Sequence, residues 1–217
     1  QKSEVRKIAK VQGFVTADKR DSQGLCFVGK VRLPDFLQQQ LKPKKGKIIA
    51  IDKNHEKFKN ISLSNTPLTE QALKLNYTSI DGIEIGAHSG AHFFTVGQRK
   101  GLAVGGTVDP LFVIDTDVNE NVLYVGEGKN HPGLFRKVLK VAPKEVHWVR
   151  EDLTLKVGET LKVEARIRYR QPLQKATIHA LESGYFVSFD QPQSAITPGQ
   201  FVAWYQKKEL LGSGVIT

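Results

Sequence analysis

From residue 137 to residue 206 apolar and polar side chains alternate at period two, in short runs separated by turn residues. The runs are 137–141, 144–148, 160–168, 175–180, 184–189 and 201–206. A two-residue period sends successive side chains to opposite faces of a strand, so each run buries one face only. Several such strands at regular spacing have to curl onto one another to make a core. They predict a small β-barrel or a sandwich.

Upstream the pattern is less regular but still strand-rich. Residues 47–52 read as a strand, and 111–115 with 121–126 as a hairpin around a turn at 116–120. Glycines punctuate short apolar runs from residue 83 onward, and a boundary falls near 128–133. The stretch 53–81 reads as an insertion, with a helical turn or two within 67–75. Residues 33–41 read as a short helix with Phe36, Leu37 and Leu41 on one face, followed by a basic turn at 42–47. At the start, Ser3 is a candidate N-cap for a helix carrying Val5, Ile8 and Ala9 at helical spacing and stopped by Gly13, with 14–17 extended after it. A single short helix cannot bury its apolar face alone. The chain, which opens inside this helix without a methionine, therefore reads as a piece of a longer protein. The fold class is mainly β: a small β-rich central domain, then a C-terminal β-barrel, with one short N-terminal helix.

Composition narrows the function. The 32 Lys and Arg exceed the 22 Asp and Glu by ten, which points to a polyanionic partner, most simply nucleic acid. A single cysteine excludes an intrachain disulfide framework and fits a reducing cytoplasm. No apolar run is long enough to span a bilayer, so no membrane is expected. The histidines and the one cysteine have no zinc spacing, so no metal is expected, and neither a Walker loop nor a dinucleotide fingerprint is present.

Four segments carry chemistry. Arg166, Arg168 and Arg170 alternate with Ile167 and Tyr169, which on a strand puts three arginines on one face, suited to phosphates, and Tyr169 on the other, where it stacks on a base or fills the barrel. Residues 92–102 join a strand to a glycine-rich turn bearing Arg99 and Lys100, a possible phosphate grip or a solvated turn. The run Thr197-Pro198-Gly199-Gln200 is a turn leading into a strand, with Gln200 at its rim. Cys26 stands in Gly24-Leu25-Cys26-Phe27-Val28-Gly29, close to Lys19, Arg20 and Lys30, whose positive charge favours a reactive thiolate; its apolar neighbours equally suit an inert strand residue.

Together these segments resemble the tRNA-specific 2-thiouridylase family. The matching stretches are 4–9, Asp21-Ser22-Gln23-Gly24-Leu25-Cys26-Phe27-Val28-Gly29, Thr95-Val96-Gly97-Gln98-Arg99-Lys100-Gly101-Leu102, His147-Trp148-Val149, Arg168-Tyr169-Arg170-Gln171 and Thr197-Pro198-Gly199-Gln200, in the family's order. The resemblance implies tRNA 2-thiolation. ATP activates the wobble uridine at its C2 oxygen, and a cysteine persulfide charged by a sulfur-carrier protein delivers sulfur to that carbon. Cys26 matches the persulfide-bearing cysteine. Arg168, Tyr169 and Gln200 match tRNA contacts, with Arg170 a further one, and Arg99 and Lys100 are candidate phosphate contacts. The family's Ser-Gly-Gly-Val-Asp-Ser phosphate loop and its second catalytic cysteine are absent from this sequence. ATP, with Mg, would thus bind elsewhere in a full-length enzyme. This chain would hold no cofactor and be inactive alone.

The implied division is 1–33, the end of an ATP-pyrophosphatase catalytic domain with the cysteine loop; 34–130, a central domain with the 53–81 insertion; and 131–217, a tRNA-binding β-barrel. The alternative is a stand-alone RNA-binding β-barrel module with a structural cysteine. It accounts for the charge and the arginines but not for the cysteine segment or the first helix. An older methyltransferase label for such chains finds no support in a glycine-rich loop or a βαβ order.

Overall fold

The computed structural model describes residues 1–19, 41–59 and 66–217. Cys26, Arg20 and the helix expected at 33–41, apart from Leu41, lie outside the described residues. The chain separates into two compact units, 1–42 and 43–217.

In the first unit, helix α1 runs Lys2–Val11. Its N-cap is Gln1 rather than Ser3, and Glu4 takes a 2.8 Å hydrogen bond from the Gln1 ammonium while lying in the first turn, where its charge suits the helix dipole. Gly13 follows the C-cap with φ +73°, a left-handed position that glycine adopts without strain. Val5, Ile8 and Val11 are exposed. Residues 15–18 form turns instead of the expected extended piece, and Lys10 pairs with Asp18 at 3.0 Å across them.

The second unit holds a four-stranded sheet and a closed barrel. The sheet comprises β1 (Gly46–Ala50), β2 (Ile83–His88), β3 (Leu111–Asp117) and β4 (Val122–Glu127) in the order β2-β1-β4-β3. β1 runs parallel to β4 and the other pairs are antiparallel. Ile48, Val113, Leu123 and Val125 pack on one face with Leu102; Ile49, Ile114, Val122 and Tyr124 pack on the other with Tyr77 and Leu134. Burial on both faces explains why these strands read as continuous apolar runs. The described parts of the 53–81 stretch pack against this core. Phe58, Leu75 and Tyr77 cover the second face, and the short helix α2 (Leu68–Gln71) packs near the barrel. The β3–β4 turn is set by Asp117, whose Oδ1 accepts the amides of Asn119 and Glu120.

The barrel comprises β5 (Phe135–Trp148), β6 (Thr160–Arg166), β7 (Gln174–Leu181), β8 (Gly184–Ser194), β9 (Phe201–Gln206) and β10 (Glu209–Ile216), closed in the order β10-β5-β8-β7-β6-β9. The two runs expected at 137–141 and 144–148 are one long strand. β5 pairs with β8 through Val141 and with β10 from Val141 onward, and Pro143, which has no N–H for a ladder, sits past this handover. β10 escapes a propensity reading because Gly212 and Gly214 look like breakers. A Cβ at Gly212 would lie 2.7 Å from the His147 carbonyl oxygen and 2.9 Å from Trp204 Nε1, so glycine is what lets β10 press against the buried Trp204.

His131 locks the segment between sheet and barrel. Its Nδ1 accepts the Gly133 amide (3.2 Å), so Nε2 carries the proton and donates to the Ile51 carbonyl (3.1 Å). A Cβ at Gly126 would fall 2.4–2.6 Å from the imidazole ring. Gly126→Ala is therefore expected to cost about 1–3 kcal/mol, read as a lower urea midpoint at unchanged slope. Burial pulls His131, His88 and His179 below the ordinary imidazole value. As pH falls below about 6.5 the unfolded chain takes up these protons before the folded one. The urea midpoint should therefore fall between pH of about 7.5 and about 5, and His131→Gln should flatten that dependence.

Candidate nucleic-acid interface

The pairing of β6 with β9 sets Arg166 beside Ala203 and Glu164 beside Tyr205. Beyond Arg166 the chain leaves the sheet. Residues 167–171 form a bend and a turn, so Arg168 and Arg170 do not continue the strand, and the expected row of three arginines on one sheet face does not exist. Ile167 is buried and anchors the turn. Gln171 holds it closed, its Oε1 accepting the Ile167 amide (3.0 Å) and its Nε2 donating to Gln193 Oε1 (2.6 Å) on β8. The turn bulges because buried Ile167 and the Gln171–Gln193 amide pair outweigh the extended preference of the β-branched and aromatic residues.

The result is an open groove of about 530 Å³ lined by Arg166, Arg168, Tyr169, Gln200, Phe201 and Tyr205. Arg166 is spoken for. It lies 5.0 Å from the Tyr205 ring centroid and 5.9 Å from that of Tyr169, and donates to Tyr205 Oη (2.8 Å) and the Tyr169 carbonyl (3.0 Å). This arginine builds the groove instead of reaching out of it. Arg168 donates one hydrogen bond, to the Ala195 carbonyl (3.1 Å), and its other guanidinium protons have no partner among the described residues. Tyr169 is 85% exposed and Phe201 is 63% exposed. Two exposed aromatic faces beside a guanidinium can stack bases and bind a phosphate at once. Gln200 Oε1 is buried with no partner among the described residues. Phe201 and Tyr205 are the groove residues that motif reading passed over, although the alternation of Phe201 with buried Val202 and Trp204 already put an aromatic on the outer face.

The other motifs support this groove from behind. Ala195 has φ +53°, and its carbonyl takes both Arg168 and the Thr197 hydroxyl. A Cβ at Gly97 would lie 2.7 Å from the Ala195 Cβ, so the Thr95–Leu102 loop closes on the same residue. Gln98 stiffens that loop, with Nε2 donating to the Lys100 carbonyl (2.8 Å) and Oε1 accepting the Thr95 amide (3.2 Å). Arg99 and Lys100 are exposed in this loop, and neither lines the groove. Arg170 is exposed and also outside it. Trp148 of the His-Trp-Val motif packs 5.3 Å from Trp204 as barrel core. Among the described residues no group of three or more His, Cys, Asp or Glu could hold a metal ion, and no helix is long and apolar enough to cross a membrane.

Residues 138–216 match the aminomethyltransferase beta-barrel domain, 73–127 the tRNA methyl transferase PRC-barrel domain and 1–30 the tRNA methyl transferase HUP domain. Fold and matches together define a chain that runs from the HUP segment through the PRC-barrel segment to the β-barrel. It is 62% identical to the tRNA-specific 2-thiouridylase MnmA of Flavobacterium johnsoniae and 60% identical to that of Christiangramia forsetii, in both cases over 100% of this chain and 56% of the relative. With that of Karelsulcia muelleri it shares 45% identity, over 100% of this chain and 55% of the relative. The chain belongs to the tRNA-specific 2-thiouridylase family, and it spans about half the length of the curated relatives it matches.

Removing the Gln171 brace should loosen the turn without unfolding the barrel. Gln171→Ala is expected to cost about 1–2 kcal/mol and to speed hydrogen exchange of the Ile167 amide selectively, leaving the β7–β8 amides protected.

Proposed function

We propose that this chain serves tRNA 2-thiolation, with the groove between the 167–171 turn and β9 as its tRNA contact. The observation that carries the proposal is the convergence of the adjacent Arg168 and Tyr169 with Gln200, two strands later in the sequence, on one open groove. Arg168 supplies charge to a backbone phosphate, Tyr169 and Phe201 offer stacking faces, and Gln200 reaches a base or a ribose hydroxyl by turning outward its amide, whose oxygen is buried and unpaired among the described residues. Family membership supports the same reading.

In this reading Cys26 bears the persulfide. A sulfur-carrier protein would load it, and its outer sulfur would bond to C2 of an activated wobble uridine, the C2 oxygen leaving with the activating adenylate. A second thiol, absent from this sequence, would then break the S–S bond, leaving the thiolated base and a disulfide to Cys26. The neighbouring Lys19, Arg20 and Lys30 favour the thiolate form. The sequence has no phosphate loop for ATP, and the described residues form none, so no step on this chain is derived through the nucleotide. We place the ATP-pyrophosphatase segment at 1–33, the central domain at 34–130 and the tRNA barrel at 131–217, with Arg170, Arg99 and Lys100 as outlying phosphate contacts. The setting we infer is the cytoplasm, and the chain alone is expected to thiolate nothing.

Binding of tRNA to this chain across a salt series tests the groove. Affinity should fall with salt, and Arg168→Ala should weaken it and lower the salt slope by about one phosphate contact. Tyr169→Ala should cost about 1–3 kcal/mol with the salt slope unchanged. Salt-insensitive binding would overturn the assignment. For Cys26, a persulfide donor should add one sulfur to the Cys26 peptide, detected by mass spectrometry and absent in Cys26→Ser.

A further inference from the structure

Against β3, α2, the start of β5 and residues 195–198 lies a cavity of about 410 Å³, distinct from the groove. Ile114 and Leu134 give it apolar walls, and Lys74, Tyr77, Asp115 and Arg136 supply polar groups. Its size is that of a small-molecule site.

Two of those polar groups are left over. Tyr77 is 8% exposed, and its hydroxyl is buried with no partner among the described residues. A buried tyrosine hydroxyl ordinarily finds one. Burial, then Asp115 and Asp81, push this phenol well above its ordinary value, so it keeps its proton and remains a donor. Arg136 is held by two carbonyls, Nη1 to Ala72 (3.1 Å) and Nη2 to Ile196 (2.9 Å). A guanidinium has five N–H donors and does not lose its charge. Among the described residues no carboxylate pairs with it. Burial pulls its pKa down and Asp115 only partly offsets this. Asp115 is already engaged, since its Oδ1 takes the Lys74 ammonium (2.5 Å) and the Thr116 amide (2.6 Å). That pair cancels its own charge. What remains is a half-buried cation with N–H donors to spare and no carboxylate beside it, and a buried hydroxyl donor with no acceptor among the described residues, both lining one cavity.

We propose that this cavity binds a small organic anion, its carboxylate or phosphate head taken by Arg136 and Tyr77 and its compact apolar body resting on Ile114 and Leu134. An anion answers both vacancies at once, because it brings acceptor oxygens and the missing negative charge. No groove-lining residue lines this cavity, although Ala195, which receives Arg168, borders it, and the proposal does not depend on tRNA being the groove's ligand.

Titration of the whole chain with phenyl phosphate, benzoate and neutral benzamide, without tRNA, tests this through the amide NMR signals of Gly133 and Ile196. At least one anion should shift them saturably, benzamide should not, and the tighter anion identifies the head group. Tyr77→Phe should weaken that anion about three- to tenfold while leaving thermal stability equal or higher, because it removes an unsatisfied buried hydroxyl. Arg136→Gln should weaken it further; should that variant fail to fold, Tyr77→Phe decides. Equal shifts with benzamide, no shift with either anion, or unchanged affinity in Tyr77→Phe would overturn the proposal.

Discussion

Barrel closure is the constraint on which the rest of the second unit depends. β9 is paired to β6 on one side and to β10 on the other, and Trp204 at its centre is fully buried. Six strands leave an interior just large enough to be filled by side chains, so one indole with Leu139, Ile178, Val187 and Val202 around it makes a packed core instead of a channel. The price is paid at β10, where two glycines replace side chains that would strike Trp204 and Val141. Without that accommodation β9 could not lie flat against β6, and Arg166 would not meet Tyr205.

The groove follows from the same closure. Residues 166–169 and 200–205 are separated by two strands in sequence and become neighbours only through the β6–β9 ladder. Within the groove the labour is divided by hydrogen bonding. Arg166 is consumed by two tyrosines and a carbonyl, whereas Arg168 keeps most of its donors. An arginine held between two rings and two hydrogen bonds stiffens a surface and one held by a single hydrogen bond is left to bind, which is why neighbouring residues of one type serve different ends. The glycine-rich loop at 95–102 joins this arrangement at Ala195, the residue that also receives Arg168, so a motif outside the groove bears on its shape through one close contact.

The central sheet shows the complementary economy of a small domain. The central strands are buried on both faces, and the elements that cover them come from irregular chain: 91–104 on one side, Phe58, Leu75, Tyr77 and 131–134 on the other. Irregular backbone over a core has to satisfy its own polar groups. Asn121, His131 and Asp81 do this with side chains, Asp81 accepting from Lys57, the Thr78 amide and the Thr78 hydroxyl. Burial alone would raise the Asp81 carboxyl; these hydrogen bonds outweigh it and hold it below the ordinary value.

The sequence by itself determined the β class, most of the strand positions, the helix stop at Gly13 and the family motifs, because each depends on neighbours a few residues apart: a two-residue alternation, a glycine at positive φ, an Asx turn. It also named Arg168, Tyr169 and Gln200 as a set. Only the tertiary structure decided that β5 is one strand, that Gly212 and Gly214 belong to a strand at all, that Arg166 and Arg168 have different partners, and that Tyr77 and Arg136 share a cavity. Those outcomes rest on contacts between residues tens of positions apart, where packing against Trp204 or the brace from Gln193 overrides local preference, and no local pattern encodes which distant atom will fill a given space.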